Sequence, residues 1–175
     1  TFSEEAFLEP GVYVLTARHS GKVLDVPGSN AQAGVQPWQY TRNNTNAQKW
    51  LLEVMDGNWI KLSSSVNGYA LQADSPMNGG KVTLQPYTNV SSKQWRLIAV
   101  SGGYFEIVNR STRGFLEVKD AATADGSLVQ TWSRRFSNNQ RWILKKMASS
   151  ESGSTYYNNL SIIKKSSVRN KNLDN

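Results

Sequence analysis

The chain has no cysteine in its 175 residues. That excludes disulfides, a thiol nucleophile and any metal site built on thiolates. Histidine is nearly absent too: His19 is the only one. A Ser/His/Asp machinery would have to rest on that single loop residue, so the sequence is read as non-catalytic. No apolar run approaches the roughly 18 residues of a membrane-spanning helix, and the mean hydropathy is −0.52. No glycine-rich phosphate cradle precedes a helix, and no long helical periodicity runs through the body of the chain. The opening TFSEEAFLEP is acidic and lacks the basic-then-apolar layout of a signal peptide. The expectation is a mature or excised chain beginning at Thr1.

Charge is unevenly signed. The formal net charge is +7, with its densest block at Arg134, Arg135, Arg141, Lys145 and Lys146. A basic surface attracts anionic partners. The tryptophans are not interleaved with Lys and Arg as a base-stacking platform would require, so no nucleic-acid partner is expected.

What the chain does have is tryptophan at a regular interval. Trp50, Trp95 and Trp142 end the segments NAQKW, SSKQW and SNNQRW. The rows GVYVLTARHSGKVLDV, GNWIKLSSSVNGYALQA and GGYFEIVNRSTRGFLEV precede them and align with one another. In that alignment Tyr13, Trp59 and Tyr104 correspond, as do Gly21, Gly68 and Gly114, and Leu24, Leu71 and Leu116. Gln36, Gln85 and Gln130 correspond, each two residues before an aromatic: Trp38, Tyr87 or Trp132. Periods of 20–50 residues mark repeat architectures. Here the repeat is threefold, with lobes at about 10–55, 56–100 and 101–147.

Each lobe reads as about four short strands rich in β-branched and aromatic residues, separated by polar, Gly-containing turns. About twelve strands in three units fit a closed three-lobed barrel better than a propeller, which needs about four blades. Residues 1–9 read as a leader. Residues 148–175 read as a Ser/Asn/Lys-rich extension with a small apolar cluster at Tyr156, Tyr157, Leu160, Ile162 and Ile163.

The three Gln-x-Trp-like ends, a Leu-Asp-Val strand and a Gln-x-aromatic upstream resemble the ricin-B-type lectins over about residues 8–147. The resemblance implies an all-β, β-trefoil fold with three pseudo-symmetric repeats of about 46 residues. It also implies carbohydrate binding with no cofactor or metal. It makes Trp50, Trp95 and Trp142 core residues near the pseudo-threefold axis, reporters of fold rather than of binding.

A sugar offers polarised hydroxyls and an apolar ring face. A site for it needs a carboxylate to accept hydroxyl protons, an aromatic platform, and amides to fix orientation. In lobe one the matching residues are Asp25, Gln36, Trp38, Asn46 and Gln48, with Ala47 where the family often has Asn. In lobe three they are Glu117, Gln130, Trp132, Asn139 and Gln140, with Glu in place of Asp. In lobe two the acid position is the neutral Gln72, Lys93 stands at the Gln position, and the loop before Trp95 looks shorter. Truncating Asp25 is expected to abolish lobe-one binding and leave folding intact.

The expected partners are glycans, either galactose-type or plant or fungal polysaccharide. The expected role is a targeting part of a secreted bacterial toxin or of a carbohydrate-active enzyme, with a toxin or enzyme as partner chain or domain and no membrane insertion by this chain. The alternative is a trefoil protein-interaction module whose sugar sites have degenerated.

Overall fold

The computed structural model describes residues 5–148. The extension from residue 149 onward, with its apolar cluster, lies outside the described residues. Lobe one contributes β2 (Gly11–Ala17), β3 (Val23–Asp25), β4 (Trp38–Tyr40) and β5 (Trp50–Val54). Lobe two contributes β6 (Ile60–Ser64), β7 (Ala70–Ala73), β8 (Gly80–Gln85) and β9 (Trp95–Val100). Lobe three contributes β10 (Tyr104–Asn109), β11 (Phe115–Val118), β12 (Val129–Trp132) and β13 (Trp142–Lys146). A short β1 (Glu5–Ala6) precedes them and pairs with β9.

The first and last strands of each lobe close a barrel. β2 pairs β5, β5 pairs β6, β6 pairs β9, β9 pairs β10, β10 pairs β13, and β13 returns to β2, all antiparallel. Closure leaves the ring without a free edge. The middle strands form three hairpins, β3–β4, β7–β8 and β11–β12. The hairpins touch one another: β12 pairs β8, Trp38 bridges Leu128, and Leu84 exchanges backbone bonds with Gly34 and Val35. A six-stranded barrel capped by a triplet of hairpins is a β-trefoil.

Trp50, Trp95 and Trp142 explain why the chain spends its largest side chain three times. Each is fully buried. Each indole N–H donates, at 3.0 Å, to the carbonyl of Leu24, Leu71 or Leu116 respectively. One side chain thus fills the barrel and satisfies a hairpin carbonyl that burial would otherwise orphan. Area burial contributes about 2–3 kcal/mol per ring.

The strand pairing moves two of the expected correspondences. Tyr13, Ile60 and Phe105 are the residues paired with Trp50, Trp95 and Trp142 on the neighbouring strand. Trp59 and Tyr104 therefore sit one residue out of register with Tyr13. A one-residue slip reverses facing, so both rings lie half-buried under arginines instead of in the core. Arg96 stacks 3.7 Å from the Trp59 ring and Arg18 lies 4.2 Å from that of Tyr104. Gly21 and Gly68 take the left-handed turn after the first strand of their lobes, at φ 71° and 82°. In lobe three Arg113, not Gly114, holds that position, at φ 61°. The N–H of each closes the same turn, onto Ala17, Ser64 and Asn109.

Candidate functional site

Asp25 ends β3 directly opposite Trp38, the first residue of β4. Its Oδ1 accepts from the Trp38 indole N–H at 2.7 Å, and its Oδ2 accepts from Gln48 Nε2 at 2.9 Å. Gln48 is fixed in turn. Its Oε1 accepts the Asn43 backbone N–H at 2.8 Å, and Nε2 also donates to the Thr41 carbonyl at 2.9 Å. The orientation of the whole relay is therefore set by backbone groups. A carboxylate offers about four acceptor positions, so two remain after Trp38 and Gln48 are served.

Those positions have somewhere to point. An open cavity of about 360 Å³ lies over Asp25, walled by Trp38, Tyr40, Asn43 and Thr45 and bounded by Gly28 and Ser29. Trp38 and Tyr40 stack with ring centroids 5.7 Å apart and planes 23° from parallel. Gly126 of lobe three backs the Trp38 ring so closely that a Cβ there would stand 3.3 Å from it. Tyr40 is the more exposed ring. Burial pushes the Asp25 carboxyl above the usual carboxylate range; the Trp38 and Gln48 bonds oppose the shift and the charge of Asp125 adds to it.

Two residues expected in lobe one stand elsewhere. Gln36 donates to the Val129 carbonyl at 2.9 Å and stitches lobe one to lobe three. Asn46 is exposed and opens the turn that carries Gln48, without lining the cavity. The amide at the cavity is Asn43, whose Oδ1 accepts from Thr45 N and Oγ1. Tyr40 and Asn43 are the two residues the sequence reading missed. A signal for Tyr40 existed. Tyr40, Gln85 and Trp132 each lie ten residues before their lobe's core tryptophan and pair with Val23, Ala70 and Phe115. Trp38, Thr83 and Gln130 each lie twelve before it. The Gln-x-aromatic alignment was thus two residues out: Gln130 corresponds to Trp38, and Trp132 to Tyr40.

In lobe three the five expected residues come together, but as a closed network. Glu117 is fully buried, and Gln130, Asn139 and Gln140 are buried with it. Glu117 Oε1 accepts from Gln130 at 2.9 Å; Oε2 accepts from Gln140 at 3.0 Å and Asn139 at 3.5 Å. The extra methylene, relative to Asp, carries the carboxylate into the reach of all three amides. Trp132 is covered as well, by the Arg135 guanidinium 3.9 Å from its ring and by Gly79 behind it. This corrects the expectation of an open lobe-three site.

Lobe two has no carboxylate at the hairpin position. Gln72 faces Thr83, and both donate at 2.8 Å to Asp74 Oδ1, two residues on. Lys93 is buried and donates to the Pro86 carbonyl and Thr88 Oγ1. The loop before Trp95 is not shorter than its counterparts; the hairpin turn between Gln72 and Thr83 is, by two residues.

The fold and this carboxylate-under-aromatic arrangement define a trefoil binding domain. The profile of the ricin-type beta-trefoil lectin domain matches residues 11–152, and the chain belongs to that family. No curated protein matches it. Among solved structures it is similar to ThreeFoil, a designed threefold-symmetric protein, at 34% identity and TM-score 0.76, over 78% of this chain and 99% of that one. It is similar to the exo-beta-1,3-galactanase 1,3Gal43A of Clostridium thermocellum at 28% identity and TM-score 0.76, over 81% of this chain but only 31% of the enzyme. It shares the fold of the Rhizoctonia solani agglutinin at 23% identity and TM-score 0.74, over 81% and 99%.

Proposed function

We propose that the chain is a carbohydrate-binding domain that works through lobe one. The observation that carries this is the Asp25 carboxylate at the base of an open cavity, beside the Trp38–Tyr40 pair. Asp25 would accept two sugar hydroxyls through its unspent lone pairs, Tyr40 would take the apolar ring face, and Asn43 would orient a third hydroxyl. The relay through Gln48 holds the acceptor in place before the ligand arrives, which lowers the entropic cost of binding.

Membership of a lectin family supports the reading. Similarity to part of a galactanase puts galactosyl sugars first among ligands. One shallow site binds a monosaccharide weakly, with a dissociation constant near 1 mM, about −4 kcal/mol. Useful retention then requires several copies on one surface. That suits a targeting part of a larger extracellular assembly, a toxin or a polysaccharide-degrading enzyme. The test is a nuclear magnetic resonance titration of the full chain with galactose, xylose and glucose, alongside a glycan array with free-sugar competition. Shifts of the Trp38 indole N–H that saturate with one sugar are expected. A folded chain that no sugar perturbs at tens of millimolar would sink the proposal.

A further inference from the structure

A second cavity, of about 160 Å³, opens on the outer wall of the barrel and shares no residue with the first. Its apolar surface is Ile98 and Val108, which pack with Phe115 as a cluster separate from the main core. Trp59, Arg96, Arg113 and Glu5 complete it. Arg96 is already engaged: it stacks on Trp59, lies 2.7 Å from Glu5 and donates to the Gly57 carbonyl at 3.0 Å. Arg110 stands on the same indole at 5.0 Å and donates to Gln94. Arg113 differs. Its guanidinium has no hydrogen-bond or ion-pair partner among the described residues, and its backbone sits at φ 61°.

That backbone is the informative feature. The other two lobes fill this turn position with Gly21 and Gly68, the residue suited to a positive φ. Lobe three keeps an arginine there, at the backbone cost that a left-handed conformation carries for a residue other than glycine. Two guanidiniums, Arg96 and Arg113, line the cavity with one carboxylate, Glu5, among the described residues, and Arg110 adds a third positive charge over the Trp59 ring. The space equals about five water volumes at roughly 30 Å³ each, enough for one anionic group and the edge of the ring that carries it. We propose that this cavity binds the carboxylate or sulfate group of an acidic sugar residue. Arg113 is the direct ligand, the Arg96–Trp59 stack is the wall, and Ile98 and Val108 receive the apolar ring face. The saccharide as carrier rests on the sugar-binding reading; the anion site does not.

The test uses Arg113→Gly, which removes the charge and installs the residue that the other lobes use, so loss of folding is not the expected confounder. The full chain and this variant are titrated with glucuronic acid, N-acetylglucosamine 6-sulfate, glucose and sodium sulfate, following the Trp59 indole N–H. Expected are shifts with the acidic sugars, weaker binding by tenfold or more in Arg113→Gly, as for loss of one charge-assisted bond, and further weakening as salt rises. An unchanged affinity in Arg113→Gly would overturn the assignment, as would loss of the Trp59 response in Asp25→Ala. Sulfate alone binding as tightly as the sulfated sugar would overturn the saccharide carrier. If neutral sugars leave Trp38 unmoved while acidic ones move Trp59, the lobe-one function falls and this site stands.

Discussion

Replacing Asp25 by Ala separates what the carboxylate does for binding from what it does for the fold. On the binding side, two charge-assisted hydrogen bonds to sugar hydroxyls disappear. At roughly 1.5–3 kcal/mol each, their combined loss of about 3–6 kcal/mol is comparable to the about 4 kcal/mol available to a millimolar site, so galactose binding should become undetectable. On the folding side, the sequence alone suggests no consequence, and the structure gives one. The indole N–H of Trp38 loses its acceptor, and Gln48 Nε2 loses one of two. Trp38 is half-buried beside the cavity, so water can replace the carboxylate there, and Gln48 keeps the Thr41 carbonyl. The penalty should therefore be about 1–3 kcal/mol, a fraction of the roughly 5–15 kcal/mol of a folded domain. Urea unfolding should show a lower midpoint with an unchanged slope, while the galactose titration goes flat. Asp25→Asn offers no gentler probe. Both of its neighbours donate, so its own NH₂ would meet a donor, and Gln48 cannot flip because its Oε1 holds the Asn43 N–H. Galactose titrating Asp25→Ala with the wild-type dissociation constant would refute the assignment of the acceptor. A stability loss well above 5 kcal/mol would refute the account of how the relay is satisfied.

Three further outcomes follow from the same geometry. Because burial raises the Asp25 pKa and the sugar needs the ionised form, binding should fade on acidification at a higher pH than for an ordinary aspartate. The stability linkage has the opposite sign: the fold holds this proton more tightly than the unfolded chain does, so Asp25's own contribution weakens slightly as pH rises through its raised pKa. Titrations of Kd and of unfolding midpoint against pH would show the two trends, and binding that fades only at the pH of an ordinary aspartate, or not at all, would contradict the first. Trp142→Ala should cost about 3–5 kcal/mol, since it empties the core and strips the Leu116 carbonyl of its 3.0 Å partner; thermal or urea denaturation measures it. Tyr40→Ala should weaken galactose binding at least fivefold while shifting stability by less than about 1 kcal/mol, because its ring is exposed at the cavity mouth; equal affinity would remove Tyr40 from the platform.

The legible and illegible parts of this chain divide by whether a position is held in the same way in all three lobes. The core tryptophans stood out because each fills the same volume and bonds the same leucine carbonyl in every lobe, so drift is not tolerated and the interval of 45 and 47 residues survives. Register was harder. Trp59 and Tyr104 look like copies of Tyr13, yet the positions equivalent to Tyr13 are Ile60 and Phe105, and only the strand pairing tells which neighbour faces inward. The site was harder still, because its members answer to loop lengths as well as to identity. QPW in lobe one and QTW in lobe three look alike and sit two residues apart in register, and counting back from each core tryptophan separates them where matching letters does not.

Closure of lobe three was beyond any alignment. Glu117 keeps the charge that a sugar would need, and Gln130, Asn139 and Gln140 keep the amides. One methylene decides whether those groups face a ligand or one another. In lobe one the shorter Asp25 reaches only two donors and Ala47 supplies none, so lone pairs remain for a guest. In lobe three the longer acid meets three donors and is fully buried, and Arg135 lies on the ring, so no acceptor faces a guest. Ala47, which reads as a loss beside the family pattern, is on this argument part of what keeps the lobe-one acceptor free.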